Sequence, residues 1–243
     1  MASKLTQVPQ VTAQDLYTSS STQGMALGAY AESDDGRGFR YVLNGATAVV
    51  PGKVYQAAAE DTTNLNPSGG LAVAAAAIGA TSVTLTGTLT LTANQLAGGY
   101  MSVAVTPGQG YLYRVKSNTA VTAAANCVVT LEDPLLVALT TSSKVVFQLN
   151  AYNGIIVAPA TMTNVCVGVG IYPIAAAQYG WIQTHGTASC LQTGTGTCGT
   201  ALGVLQGGTI GSLAPAIAGT PILAYAQGTN ITGQYNHVFL VID

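Results

Sequence analysis

Val83-Thr84-Leu85-Thr86-Gly87-Thr88-Leu89-Thr90-Leu91-Thr92 is the run from which the fold is read. Aliphatic residues stand at 83, 85, 89 and 91, and threonines at 84, 86, 88, 90 and 92. An extended backbone turns successive side chains to opposite faces. A period of two therefore puts the aliphatics on one face and the threonines on the other. Threonine is β-branched and favours that backbone. Gly87 at the midpoint predicts a bulge, or a turn dividing the run into two short strands.

Outward from this run the same grammar repeats. Strands are predicted at Tyr100 to Val105, Tyr111 to Lys116, Cys127 to Leu131 and Val145 to Leu149. Further strands are expected at Ile155 to Val157, Cys166 to Ile171, Tyr179 to Thr184, Ile222 to Ala226 and Val238 to Ile242. Towards the N-terminus, Asp34-Asp35-Gly36 signals a turn before a strand at Phe39 to Leu43. Asn44-Gly45 is a strong two-residue hairpin signal, leading to Ala48-Val49-Val50. The Pro51-Gly52 turn then leads to Lys53 to Gln56. Leu71 to Ala80 is ambiguous, since alanine favours helix while the flanking glycines do not. Many short strands with regular turn signals predict an all-β fold, a β-barrel or sandwich.

The domain reading follows composition. Residues 1–23 are polar, without a period, and are expected to form an extended N-terminal arm, ordered only where it docks. Glu60 to Gly70 reads as a linker. Residues 24–60 plus 146–243 are expected to build the β core domain, with 61–145 as a β-rich inserted module. Two sequential β domains, 24–145 and 146–243, are the alternative.

Charge limits the chemistry. Charged residues make up 7% of the 243-residue chain, against roughly 25% in ordinary soluble domains. No Lys, Arg, Asp or Glu occurs from Thr62 to Tyr113 or from Val145 to Ile242. Half the residues are apolar, so a large core is available and disorder is not expected. Seven basic residues, scattered from Lys4 to Lys144, form no patch for phosphates, so no nucleic-acid partner is expected. The apolar runs are too short for a helical membrane span, and Met1-Ala2-Ser3-Lys4 opens no visible secretory signal. A protein made in the cytoplasm, with no membrane partner, is expected.

Each candidate for chemistry has a bland reading that outweighs it. Gly194-Thr195-Gly196-Thr197-Cys198-Gly199 has the letters of a dinucleotide fingerprint, but no helix or acidic residue follows to complete it. His185 and His237 have no carboxylate after Asp133 to orient them except Asp243, and no nucleophile elbow exists. Glu32, Asp34 and Asp35 lack the spacing of a calcium loop, and Glu60-Asp61 and Glu132-Asp133 read as solvated turns. Cys127, Cys166, Cys190 and Cys198 have no zinc spacing. Cys190 and Cys198 could face each other across a hairpin, but free thiols are expected. Trp181, the single tryptophan, is expected in the core. Asn230-Ile231-Thr232 has the glycosylation pattern but carries no weight without a secretory route. No catalytic, cofactor-binding or metal-binding residue is assigned, no cofactor is expected, and the chain is not expected to be an enzyme.

Several segments are similar to a known group. Asp35-Gly36-Arg37-Gly38-Phe39-Arg40-Tyr41, with Gly45 and Pro51-Gly52-Lys53-Val54-Tyr55-Gln56, resembles the opening of head decoration (cement) proteins of tailed bacteriophages. Thr92 to Tyr100, Gly110 to Asn118, Leu131 to Leu135, Tyr179 to Gly186 and Gly219 to Ala224 look like segments of related phage structural proteins. The resemblance runs from about Gly24 to the C-terminus and rests on turns and strands. It implies a virion protein on the outer capsid surface, a homo-oligomer (a trimer), with the major capsid protein as partner. Host-glycan recognition by a fibre or adhesin, or a place in the tail tube, are the alternative readings.

Overall fold

A computed structural model describes residues 9–123, 125–204 and 207–243. Apart from one helical turn, α1 (Ala13–Leu16), the regular structure is β. The chain divides into two compact units, Met1–Ala59 with Ala151–Asp243, and Glu60–Asn150. In chain order the strands are β1 (Tyr30–Glu32), β2 (Gly38–Asn44), β3 (Val54–Gln56), β4 (Leu71–Val73), β5 (Ser82–Thr86), β6 (Tyr100–Val105), β7 (Leu112–Asn118) and β8 (Cys127–Leu131). They continue as β9 (Lys144–Gln148), β10 (Asn153–Val157), β11 (Cys166–Gly170), β12 (Tyr179–Leu191), β13 (Ala201–Gly203), β14 (Ala214–Pro215), β15 (Ala224–Ala226) and β16 (Tyr235–Val241).

The second unit is a closed barrel in the order β4-β5-β8-β7-β6-β9. The threonine-alternating run supplies its β5 strand, paired to β4 on one side and β8 on the other. Val83, Leu85, Leu89 and Leu91 are all buried, whereas the intervening threonines are exposed or half-buried. The chain leaves the ladder at Gly87, whose φ is 127°, and Leu91 returns as a single bridge to Val121. Leu96 plugs the interior beneath the turn Thr92 to Gly99, and Asn118 fastens that turn. Its Oδ1 accepts from Leu96 N–H at 2.9 Å, and its Nδ2 donates to Thr92 O at 2.9 Å. Glu60 to Gly70, read as a linker, belongs to this unit, and its Leu65 is buried in the barrel core. Leu71 to Ala80 resolves into β4 and a loop.

The first unit contains a closed ring of strands. β2 pairs with β10 in parallel, and β10–β3, β3–β11, β11–β12 and β12–β2 pair antiparallel. Val42, Tyr55, Ile155, Val167, Ile174 and Ile182 fill the ring. β12 makes the design possible because its thirteen residues serve two neighbours. Tyr179 to His185 runs against β2, and His185 to Leu191 runs against β16. From β16 the sheet extends through β15 and β13 to β14 over a second apolar cluster, including Cys190, Leu202, Val238 and Leu240.

Two expectations are corrected here. Asn44-Gly45 does not turn a hairpin, and Ala48-Val49-Val50 is not a strand. Asn44 is buried and its Nδ2 lies 2.9, 2.8 and 3.0 Å from the carbonyls of Thr47, Ile174 and Ala175. Gly45 lies where a Cβ would come within 2.8 Å of Ile155 O. The pair is thus spent on holding two loops rather than on reversing the chain. The N-terminal segment, expected to be ordered only where it docks, docks along residues 11–20. Thr12 caps α1 in a reciprocal box with Asp15, Leu16 is buried, and Ser20 bridges Tyr179. Val11 and Leu16 pack with Phe39, Tyr41 and Trp181. Residues 1–8 of the expected arm lie outside the described residues.

Candidate functional site

Ionisable groups are so scarce that a gathering of them in the first unit stands out. Glu32 at the end of β1, Arg40 on β2, His185 on β12 and Asp243 line a shallow cleft of about 420 Å³ with Tyr30. Arg40 grips Asp243 with two prongs, Nε to Oδ2 at 2.9 Å and Nη2 to Oδ1 at 3.2 Å. Its Nη1 donates to Gly28 O at 2.8 Å, and its plane stacks over Tyr30. Asp243 holds the guanidinium even more firmly protonated than usual, against its burial. With its three nitrogens engaged, Arg40 is a clamp tying the end of the chain to β2. The cleft holds an imidazole and two carboxylates, and its only hydroxyl is the Tyr30 phenol, which burial and the nearby carboxylates hold protonated; no serine, threonine or cysteine is among its lining residues.

A second concavity of the first unit is different in kind. It measures about 810 Å³ and is lined by aliphatic residues, among them Met162, Val165, Ile217, Ile222 and Leu223. Val165, Ile217 and Ile222 are 59%, 62% and 47% exposed, so the groove opens onto bare apolar surface. Not one ionised side chain lines it. Its single titratable group is Cys166, whose thiol is pushed up to about 12 by burial and is held protonated at neutral pH. Such a groove offers area and shape rather than acid–base chemistry.

The sequence-predicted candidates fall as follows. His185 reaches the polar cleft, while His237 lies exposed on β16 opposite Ser189. Asp35 closes the β1–β2 turn, where the Ser33 hydroxyl lowers its carboxyl below the ordinary value and Arg37 pairs with it at 2.7 Å. Asp61 accepts from Thr63, Asn64 and the Asn64 amide as a turn cap. Gly194 to Gly199 is a loop that bridges Asn230 at Gly196 and leads to β13, not to a helix. The four cysteines are free, with Cys190 buried and Cys198 exposed, so they do not pair. Trp181 is 5% exposed and packs edge-on against Tyr41 at 5.2 Å. Among the described residues no three His, Cys, Asp or Glu side chains gather as metal ligands, and no helix is long and apolar enough to cross a membrane. The apolar groove was not foreseen. Its walls come from segments far apart in sequence, so no single stretch of sequence marked it.

No protein-family model, no curated protein and no solved structure matches this chain.

Proposed function

We propose that this chain is a virion structural protein, a decoration protein that binds the outside of a phage head as a homo-oligomer and stiffens the shell. The observation that carries the reading is the open aliphatic groove around Val165, Ile217 and Ile222, free of ionised side chains. Burying such a surface against another protein strips few ions of water, so little electrostatic cost opposes the apolar gain. A standard interface buries roughly 800 Å² per partner, and repetition within a homo-oligomer multiplies a modest single contact. The resemblance of Asp35 to Gln56 and of Tyr179 to Gly186 to phage structural proteins points the same way. The scarcity of charge between Val145 and Ile242 suits a surface packed among copies and capsomers.

Copy number in purified particles tests the reading. Hundreds of copies per particle are expected, falling sharply when Ile217→Asp and Ile222→Asp are combined. A few tens of copies would indicate a tail or fibre component, and absence from particles would end the proposal.

A further inference from the structure

The outer face of β12, β16 and β15 carries a set of rings that no stretch of sequence displays together. In register, Tyr225 stands opposite Phe239, and Phe239 opposite Thr187. On the far side of Tyr225 the neighbour is Ala201 of β13, so small residues flank the two rings. Tyr225 and Phe239 are 41% and 37% exposed, while their strand neighbours Ala224, Ala226, Val238 and Leu240 are buried below. The His185 ring meets Phe239 edge-on at 5.3 Å. Tyr235 borders the face two positions beyond His237, its ring seated on Gly52, where a Cβ would lie 2.5 Å from Cδ1. The side chains of Thr187, Ser189 and His237 have no hydrogen-bond partner among the described residues.

We infer that this face binds a neutral saccharide, with Tyr225 and Phe239 stacking beneath a pyranose ring. Three arguments select that ligand class. The rings offer an apolar platform for a C–H face, and the unpartnered hydroxyls and imidazole beside them suit sugar hydroxyls. No Lys, Arg, Asp or Glu lies on β12, β15 or β16, and the nearby Arg37 and Arg40 are already paired with Asp35 and Asp243, so no unpaired cation there awaits an anionic sugar. The size excludes a protein partner held by this face alone. Four strands about 4.8 Å apart and the span from Tyr235 to Phe239 enclose on the order of 200 Å², the footprint of two or three sugar rings. A standard protein interface needs about 800 Å² a side. The inference does not rest on the decoration reading, because a shell protein and a tail protein could each carry such a face.

Saturation-transfer NMR on the full chain with maltotetraose, cellotetraose and chitotetraose tests it, each at about 10 mM against a Kd on the order of 1 mM. Transfer to pyranose C–H protons is expected for at least one sugar. Phe239→Ala and Tyr225→Ala should each weaken binding about tenfold or more, while Phe239→Tyr keeps it. Thermal unfolding of the variants, which alter exposed positions, verifies that they are folded. No transfer from any of the three sugars overturns the inference, as does binding unchanged in both alanine variants or a preference for a sialylated tetrasaccharide. If Phe239→Ala instead converts an oligomer to monomer in sedimentation with sugar binding unaltered, the face is a contact between copies and the inference fails.

Discussion

At the scale of single residues, Asn44 and the cysteines carry the sharpest expectations. The two N–H bonds of Asn44 serve three carbonyls, but Ile174 O also receives Val49 N–H and Ala175 O receives Gln178 N–H. Asn44→Ala therefore strands chiefly Thr47 O, and should cost about 1–3 kcal/mol in a denaturant titration. Asn44→Asp should cost more, because an acceptor-only carboxylate would then face three carbonyl oxygens. For the thiols, an aromatic disulfide reagent at pH 8 should titrate Cys198 rapidly in the native protein and all four cysteines only after unfolding. Burial raises Cys166 to about 12 and raises Cys190 as well, so their folded values lie above the ordinary thiol value of 9.0. The unfolded chain then loses these protons first as pH rises. The thiols favour the folded state fully below pH 9, and that contribution is lost progressively between pH 9 and about 12. The urea midpoint should fall across that window, and less steeply in Cys166→Val.

Elements show where sequence was legible and where it was not. Tyr100 to Val105 and Cys127 to Leu131 were predicted with the boundaries that β6 and β8 have. In both, alternate residues are buried because a barrel wall has one dry face and one wet face, until β6 slips register between Val103 and Val105. β12 was predicted to stop at Thr184 but runs to Leu191. Gly186 disguises it: its φ is +84°, an irregularity that Arg37 and Gly36 crowd from the neighbouring turn, and the ladder continues past it. The Asn44-Gly45 signal misled for the opposite reason, since a buried amide can be worth more across a core than in a turn. The N-terminal segment looked polar because only Val11 and Leu16 face inward. Leu16→Ala should cost about 2–4 kcal/mol, as for other fully buried leucines, and should loosen protection of β2 and Trp181 in hydrogen exchange. An arm free of the body would show neither effect. Of the candidate sites, the groove and the ring-bearing face were invisible, since the first joins loop segments far apart in sequence and the second draws single residues from several strands.

For the whole molecule, the decisive feature is how the barrel is inserted. β3 and β10 are antiparallel neighbours, with Gln56 opposite Ile156, yet residues 60–150 lie between them in the chain. Unit one therefore carries unit two in the loop of a hairpin. Within the barrel, β4 pairs antiparallel with β9 and Phe147 N–H bonds to Leu65 O at 2.9 Å, so its own entry and exit segments also run side by side. Residues 60–150 expressed alone should unfold cooperatively, with a buried core of twenty residues of their own. Replacing them with a short Gly-Ser turn should leave the first unit folded, with its near-ultraviolet signal from Trp181 intact. Loss of that signal would mean the strands of the first unit need the barrel to meet.

This arrangement also dictates a sequence of events during synthesis. β10 cannot find β3 until the ribosome has released the whole intervening stretch, and closing so long a coil is entropically slow. Once the barrel has formed, its adjacent ends act as a clasp that turns the long coil into a short tether. Substitutions that weaken the barrel should thus delay maturation of the other unit, although the altered side chains sit in a separate core.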